Sequence, residues 1–395
     1  MKKVGMRHAL VGVGLAATLG ALLVPALGVG SSSKSVGLPT KIGPGEGQLN
    51  LIEWPAYSDP SFANKFVKQT GCKIHRKDAG TSNDMVSLMR AGGGGGGGQW
   101  DLVSASGDAS LRLIFGGDVV PVNVNLIPSW KHFLPAFKSP PHNTIKGVHY
   151  GVSVQWGPNV LLYNTKVVKP TPMSWNVLYD PKSKYKGKMT VPNNPIQIAD
   201  AALYLQKTKP SLGIRDPYEL TKPQFDATVR LLQQQKPLLK RYWLYEPDDI
   251  KSYKTGDVVI GASWPYQTLQ LQLAHFPAKD LIPKEGATGW ADTWMLASKA
   301  PHPNCAYMWM RYVTTAAPEA KQALLFGETP VNPAACPVMN KLQKGSCAVY
   351  HLNAPASYSR SIKFWKTPVP TCGWGGRTDC MSYQDWEDAW SKITG

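Results

Sequence analysis

Leu49–Trp54 (LNLIEW) is a run of apolar, strand-forming residues, and the order of elements after it decides the fold. Hydrophobic residues then recur at helical spacing as far as Gly71, a residue type that commonly ends helices. Apolar runs begin again at Cys72 and at Trp100, with a second helical pattern over 83–90 between them. Strand, helix, strand, helix and strand in succession predict a parallel α/β sheet.

The carboxyl ends of these strands predict where a ligand binds. In a parallel sheet these ends face one crevice, so we expect Trp54, Tyr57 and Ser106 to line it together. A serine at position 106 also suits a helix N-cap, and no Gly-x-Ser-x-Gly motif surrounds it. We therefore interpret Ser106 as a binding or capping residue and not as a catalytic nucleophile.

A second group of candidate ligand contacts comes from residues 284–294 (KEGATGWADTW). If this segment is extended, Trp290, Asp292 and Trp294 share one face, because side chains alternate along a strand. A carboxylate between two indoles suits an organic cation, which gains both an ion pair and cation–π contact. Alternatively, the tryptophans belong to the core and Asp292 caps a helix that begins near Trp294. Trp264, at the end of another apolar run, is a third candidate indole.

The first thirty residues have the features of an export signal. A basic start precedes an apolar run over 9–27, and small residues that suit cleavage follow it. The run is also near membrane-spanning length, so an uncleaved anchor is the alternative. No cysteine precedes Cys72, which excludes a lipoprotein anchor at this point. We predict a signal peptide over 1–30 and a periplasmic protein.

Two segments of low complexity are predicted to lack fixed structure. Residues 31–47 are rich in serine, glycine and proline, a composition typical of a disordered tether. Residues 92–98 are seven consecutive glycines without the Gly-Lys-Ser/Thr ending of a phosphate-binding loop. We interpret this glycine run as a flexible surface loop.

Length and charge limit the possible classes of function. The chain has 395 residues, enough for two domains, and a formal net charge of +17. Its lysines and arginines are scattered, and no nucleic-acid-binding motif accompanies them. We interpret this charge as a solvated basic surface that tolerates an anionic membrane face, and we predict no nucleic-acid partner.

The six cysteines indicate disulfides in an exported protein. Two short-loop pairs are predicted, Cys336 with Cys347 and Cys372 with Cys380. The pairing of Cys72 and Cys305 remains open, because they could form a third disulfide or stay as buried thiols. Because no Cys-x-x-Cys unit or interleaved histidine occurs, we predict no metal site, and no cofactor is predicted.

Several short blocks follow one another along the chain: Leu51–Tyr57 (LIEWPAY), Phe66–Gly71 (FVKQTG), Trp100–Val103 with Ser106, Val160–Asn164, Ser174–Trp175, Tyr185–Lys188, Gly261–Trp264 (GASW), and Pro283–Gly286 with Trp290–Asp292. Their shared order resembles the extracytoplasmic solute-binding proteins of ABC importers, in the spermidine/putrescine-binding group. The resemblance covers nearly the whole mature chain. It implies an α/β periplasmic binding protein fold of type II: two lobes, each a mixed sheet flanked by helices, with the ligand in the inter-lobe cleft.

The resemblance also implies how the chain is divided. Residues 48–155 plus 293–335 would form lobe 1, and residues 156–292 plus 336–395 would form lobe 2. Contacts from both lobes would stabilise a closed form around the ligand, and the membrane permease would recognise that form.

Carried over to this sequence, the resemblance implies ligand contacts from both lobes. Asp292 would hold an ammonium group, and the tryptophans would sandwich a methylene chain. These lining residues are Trp54, Tyr57, Ser106, Trp264, Trp290 and Asp292.

Several positions depart from the family pattern. Asn193, Asn194 and Gln197 stand where acids would be expected, and Lys366 stands near the position of a glutamine in the tail. Glu328, in place of an aromatic residue, would restore one negative charge or would be a solvated loop acid. A cleft with about one carboxylate and one nearby cation suits a zwitterion better than a long dication.

The sequence therefore predicts the substrate-binding component of an ABC transporter that imports putrescine, spermidine or a related small amine. The alternative ligand is an ω-amino acid such as γ-aminobutyrate. A secreted hydrolase needs a nucleophile with a base, or a metal cluster, and no such set stands out, so we predict no enzyme. Ferric-ion binding on the same fold would need clustered tyrosines. The expected partners are the small ligand and the ABC permease, and we expect a monomer.

Overall fold

The computed structural model describes residues 38–373 and 376–395. The predicted signal peptide and residues 31–37 of the predicted tether lie outside the described residues. Numbered in chain order, the strands are β1 Gln48–Glu53, β2 Lys73–Asp78, β3 Leu102–Ala105, β4 Val119–Val120, β5 Thr144–Ile145, β6 Val148–His149, β7 Val152–Pro158, β8 Val160–Asn164, β9 Met189–Pro192, β10 Leu239–Trp243, β11 Ile260–Ser263, β12 Ala278–Lys279, β13 Ala287–Ala297, β14 Thr329–Pro330 and β15 Ile362–Phe364.

The helices follow the same order. They are α1 Pro60–Thr70, α2 Ser82–Arg90, α3 Gly107–Phe115, α4 Asn176–Tyr179, α5 Gln197–Thr208, α6 Lys222–Gln235, α7 Glu246–Thr255, α8 Pro265–Leu273, α9 Pro303–Val313, α10 Ala316–Phe326, α11 Ala335–Leu342, α12 Ser346–Val349, α13 Ala356–Arg360 and α14 Tyr383–Thr394.

The larger sheet has the strand order β14-β7-β13-β3-β1-β2, with β4 and β15 also paired to β13. Strand β1 runs parallel to β2 and to β3, as the alternation of strands and helices predicts. Strand β13 runs antiparallel to β3 and β7, which makes the sheet mixed. Helices α1 and α9 contribute to one apolar core of this lobe, and α2 and α3 contribute to another.

The smaller sheet has the order β10-β9-β11-β8-β12. Strands β10 and β11 run parallel to β9, whereas β8 is antiparallel to β11. Helices α5, α6 and α14 pack in its core, and Trp386 and Trp390 of α14 are both buried there. The last helix therefore belongs with the smaller sheet.

Strand pairing draws the lobe boundaries differently from the sequence prediction. All of β13 lies in the larger sheet, so residues 287–292 do not belong to lobe 2. Helix α11 packs with α10, and β15 pairs with β13, so residues 335–364 also lie with the larger sheet. Sequence reasoning missed this return because β15 has only three residues and little periodicity. The chain passes between the sheets after β7, before β13 and after β15.

Thr288 joins these three crossings. Its hydroxyl oxygen accepts hydrogen bonds from Asn159 Nδ2 at 2.8 Å and from Trp365 Nε1 at 3.4 Å. The Thr288 hydroxyl in turn donates to Asp200 of α5. The Asn159 backbone N–H also donates to the Thr288 carbonyl at 2.8 Å. One buried threonine therefore fixes the three crossings to one another and to the smaller lobe.

The prediction of a disordered tether is wrong for residues 38–47. The backbone N–H of Gly43 donates to Asn304 Oδ1 at 2.7 Å. Glu46 accepts from the backbone N–H groups of Asn304 and Cys305, both at 2.9 Å, in the first turn of α9. A carboxylate is stabilised there because the first N–H groups of a helix have no partner within it.

The glycine run is a bonded turn and not a flexible loop. All seven glycines over 92–98 have positive φ, from 59° to 96°, a region that side chains disfavour. The Gly95 N–H donates to Asp118 Oδ1 at 3.2 Å, and its carbonyl accepts from Lys299 N at 3.1 Å. A Cβ on Gly95 would lie 2.3 Å from Ser298 Oγ. Composition suggested flexibility, whereas close packing against the strand end fixes the turn.

All six cysteines form disulfides. The pairs Cys336–Cys347 and Cys372–Cys380 confirm the short-loop prediction. The pair left open is also a disulfide, Cys72–Cys305, which ties the start of β2 to α9 across 233 residues of sequence. Closing so long a loop restricts the unfolded chain and stabilises the larger lobe.

Candidate functional site

A cavity of about 180 Å³ lies where the carboxyl ends of strands from both sheets meet. A cavity at such a junction suits a small ligand. The larger lobe contributes Trp54, Tyr57, Ser106, Asp108, Asp292 and Glu328. The smaller lobe contributes Asn193, Asn194, Trp243, Glu246 and Trp264. Nine of the eleven residues proposed from sequence line the cavity, and Gln197 and Lys366 do not.

Asp292 lies at the centre of the larger lobe's contribution. It is 3 % exposed and accepts hydrogen bonds from the Tyr57 hydroxyl and from the Ser106 hydroxyl. Burial raises the pKa of Asp292 to about 7, and these two donors oppose the rise. The acid is therefore poised near neutrality, where a cation would favour its charged form.

Glu328 extends this group through Tyr57. The Tyr57 Oη lies 2.9 Å from Glu328 Oε1. One phenolic hydrogen cannot serve two carboxylates at once, so the pair needs a second proton. Burial and the nearby charge of Asp292 raise the pKa of Glu328 well above its usual range. We interpret Glu328 as the protonated member, buried and not the solvated loop acid of the alternative.

Local structure explains why these side chains converge. Ser106 occupies the N-cap position of α3, but its side chain makes no capping hydrogen bond, and its hydroxyl donates to Asp292. Strand β7 has an extra residue, Val154, where β13 passes from Asp292 to Thr293, so the bulge lies in β7 and the alternation along β13 continues. Trp294 does not line the cavity, but its ring lies 6.4 Å from the ring of Tyr57, the residue that donates to Asp292. It is fully buried in the larger lobe's core, 6.0 Å from the ring of Trp309.

Four indoles form the opposite wall. The Trp264 ring lies 4.9 Å from Trp243, 6.4 Å from Trp290 and 6.3 Å from Trp365 between ring centres. Gly157 of β7 makes room for this wall, because a Cβ there would lie 2.5 Å from Trp290 Cζ2. Sequence reasoning found two of the four indoles. It missed Trp243 and Trp365, since neither belongs to a recognisable block.

Gln197 does not line the cavity. It lies behind the indole wall, near the groups that hold Trp264 in place. Trp264 Nε1 donates to Asn159 Oδ1 at 3.1 Å, and Asn159 Nδ2 donates to Asp200 Oδ2 at 3.2 Å. Burial raises the pKa of Asp200 to about 7, and hydrogen bonds from Thr288 and Asn159 oppose this rise. Gln197 faces Asp200 because both lie on α5, three residues apart. Its predicted role as a ligand contact is therefore not supported.

Asn193 and Asn194 follow β9 and line the cavity. Asn193 Oδ1 accepts from Trp390 Nε1 at 2.8 Å, which ties the strand end to α14. Asn194 Oδ1 accepts from the Ile196 backbone N–H at 3.0 Å, the pattern of an Asx turn. Both are therefore turn residues whose remaining polar atoms are available at the cavity.

Lys366 lies outside the cavity, contrary to the sequence prediction. Its Nζ contacts Asp216 Oδ2 at 2.9 Å and Glu219 Oε1 at 2.5 Å. The preceding residue, Trp365, lines the cavity. In an extended segment neighbouring side chains point to opposite sides, which explains why the lysine faces away.

Two carboxylates of the cavity were not expected from the sequence. Asp108 lies in the first turn of α3, and Glu246 begins α7. Acids are common in first turns for reasons of helix stability, so the sequence alone gave no reason to single them out. With Asp292 and Glu328 the cavity has four carboxyl groups, and no lysine, arginine or histidine lines it within the described residues.

The described residues include no helix that combines the length and apolar composition needed to cross a membrane.

Comparisons with known proteins agree on one family. A family model for bacterial extracellular solute-binding proteins matches residues 61–344. The putrescine-binding periplasmic protein PotF of Escherichia coli K12 is 23% identical over 286 residues, which cover 67% of this chain and 72% of that protein. The putrescine/agmatine-binding protein of Pseudomonas aeruginosa is 21% identical over 321 residues, which cover 76% and 83%.

Solved structures agree on the fold. The spermidine/putrescine substrate-binding protein PotD of Streptococcus pneumoniae has a TM-score of 0.68 at 16% identity, covering 88% of this chain and 99% of that chain. A GABA receptor has a TM-score of 0.63 at 16% identity, covering 88% and 98%. The predicted α/β fold of type II periplasmic binding proteins is therefore confirmed.

Proposed function

The chain belongs to the family of bacterial extracellular solute-binding proteins, and from this premise we propose that it delivers a polyamine such as putrescine or spermidine to an ABC importer. The relatives named for putrescine, agmatine and spermidine support this ligand class at low sequence identity. We propose that the protein acts in the periplasm as a monomer, binds its ligand without turnover, and docks on the permease in its closed form.

The observation that carries the proposal is the charge of the cavity. A chain with a net charge of +17 gathers four carboxyl groups around one small cavity, and no basic side chain of the described residues lines it. Burying several acids together is costly unless they are protonated or neutralised by a cation. A dication or polycation supplies that neutralisation, and the four indoles offer cation–π and apolar contact to its methylene chain.

The ω-amino acid alternative loses its main support. It rested on a single cleft carboxylate and on Lys366 as the partner of a ligand carboxylate. Lys366 is instead paired with Asp216 and Glu219, and the carboxylate of γ-aminobutyrate would face Asp108 or Glu246. Like charges in a buried site repel, so this ligand should bind more weakly than putrescine.

Calorimetric titration of the mature protein with putrescine, spermidine and γ-aminobutyrate tests the proposal. We expect Asp292→Asn to weaken putrescine binding by about 2 kcal/mol or more, because a buried charge pair is lost. Asp248→Asn is the matched control, since Asp248 is an exposed acid of α7 outside the cavity lining. Tighter binding of γ-aminobutyrate than of putrescine, or equal effects of the two substitutions, would contradict the proposal.

A further inference from the structure

Asp108 is a buried acid that the proposed cation site around Asp292 leaves unexplained. Its side chain is fully buried and lines the cavity. One oxygen, Oδ1, accepts a hydrogen bond from Ser82 Oγ at 2.8 Å. The other, Oδ2, has no hydrogen-bond partner among the described residues. A buried carboxylate oxygen without a donor is costly, so a group from the ligand is the natural partner.

Arg112, a cation that acts on Asp108, does not supply the missing hydrogen bond to Oδ2. Arg112, one turn further along α3, donates from Nη1 to Asn83 Oδ1 at 2.6 Å, and its guanidinium lies 4.3 Å from the centre of the Tyr383 ring. Burial raises the pKa of Asp108, and the Ser82 hydroxyl and the Arg112 charge oppose the rise. Arg112 therefore affects Asp108 by its charge alone, without a hydrogen bond between them.

Asp108 and Asp292 are held by the same local structure. Ser106, at the N-cap of α3, donates to Asp292, and Asp108 follows two residues later in the first turn. The two acids are therefore fixed relative to each other within the larger lobe, before any lobe closes. Glu246 and Asn194 line the same cavity from the smaller lobe.

We infer that Asp108 binds the second cationic nitrogen of the ligand while Asp292 binds the first. Asp108 thereby makes the site selective for diamines and longer polyamines over monoamines. The inference rests on the proposed polyamine-binding function and deepens it. In this chain the second carboxylate comes from the start of α3, whereas the segment after β9 offers the amides of Asn193 and Asn194.

The test compares two ligands that differ by one amine. Putrescine and n-butylamine are titrated calorimetrically into the wild-type protein and into Asp108→Asn at neutral pH. We expect the wild type to bind putrescine at least about 30-fold more tightly than n-butylamine, which corresponds to about 2 kcal/mol. In Asp108→Asn the affinity for putrescine should fall about 30-fold, while that for n-butylamine changes less than about threefold.

Asp84→Asn is the matched control. Asp84 is an exposed acid of α2, close to Ser82 in sequence, and it does not line the cavity. It should change neither affinity by more than about threefold. Thermal unfolding checks that Asp108→Asn is folded; if it is not, Asp108→Ser replaces it and the same comparison is made.

Three results would overturn the inference. They are equal losses for both ligands in Asp108→Asn, no loss for putrescine, and a wild-type protein that binds both ligands equally. If putrescine binding depends on Asp292 but not on Asp108, the inference fails and the proposed function stands. If the wild type binds neither ligand nor spermidine, both fail.

Discussion

The raised pKa of Asp292 predicts that pH changes the stability of the empty protein and the affinity for ligand in opposite directions. In the folded protein this pKa is about 7, whereas an unfolded aspartate titrates near 4. Between these values the folded state binds more protons than the unfolded state. The stability of the ligand-free protein should therefore fall as pH rises from about 4 to 7. At 1.36 kcal/mol for each pH unit, the upper limit for this one group is about 4 kcal/mol.

Ligand binding should respond with the opposite sign. A cationic ligand favours the ionised form of Asp292, and only about 1% of a group with a pKa near 7 is ionised at pH 5. About half is ionised at pH 7, so putrescine affinity should rise about 50-fold between these values. The ligand remains a dication throughout this range because alkyl amines titrate near pH 10.

The assay combines thermal unfolding and calorimetry at pH 5, 6, 7 and 8 at constant ionic strength. We expect the ligand-free melting temperature to fall, and the putrescine-induced increase to grow, across this series. Titrations in two buffers of different ionisation enthalpy should show proton release on binding at pH 6. In Asp292→Asn both trends should become shallower. An affinity that is constant between pH 5 and 7 in the wild type would show that ionisation of Asp292 does not control binding.

Two further substitutions probe the surroundings of the cavity. Gly157→Ala should weaken putrescine binding about tenfold and destabilise the fold by about 1–3 kcal/mol, because the new Cβ displaces the Trp290 ring; unchanged calorimetric affinity and melting temperature would contradict this. Lys366→Met should leave putrescine affinity within about threefold but lower stability by about 2 kcal/mol in urea unfolding, since Asp216 and Glu219 lose their shared cation. A large change in putrescine affinity would indicate that Lys366 takes part in ligand binding.

The sequence predicted the part of the site that lies at strand ends. Trp54, Ser106 and Trp264 follow apolar runs whose ends face one crevice in this type of sheet, so pattern and topology together bring them into one place. The parallel pairing of β1 with its two neighbours has the same origin. Such features depend on short stretches of sequence and on a general rule of sheet architecture.

Other features depend on distant parts of the chain and could not be predicted locally. Trp294 is covered by Tyr57 and Trp309 within the core, so it does not reach the cavity although it follows Asp292 by two residues in the same strand. Asp108 resembles any acid in a first helical turn until the fold buries it. The charge balance at Lys366 was misjudged because its partners lie about 150 residues earlier in the chain. The last two errors supported the alternative of a zwitterionic ligand, and the four carboxyl groups of the cavity support the polycation that we propose.

The third crossing of the chain has a mechanical consequence. Two strands passing between lobes would let them twist as well as open. Here Trp365 donates from its backbone to Gly289, Lys366 is held by acids of the smaller lobe, and the Thr367 N–H donates to Gly107, the first residue of α3. We expect a third connection anchored on both sides to resist torsion, so that a hinge-like opening is the softest motion. Such an opening would also displace the turn that carries Asp108, because Thr367 is bonded to Gly107. Ligand binding and lobe movement would then be mechanically coupled.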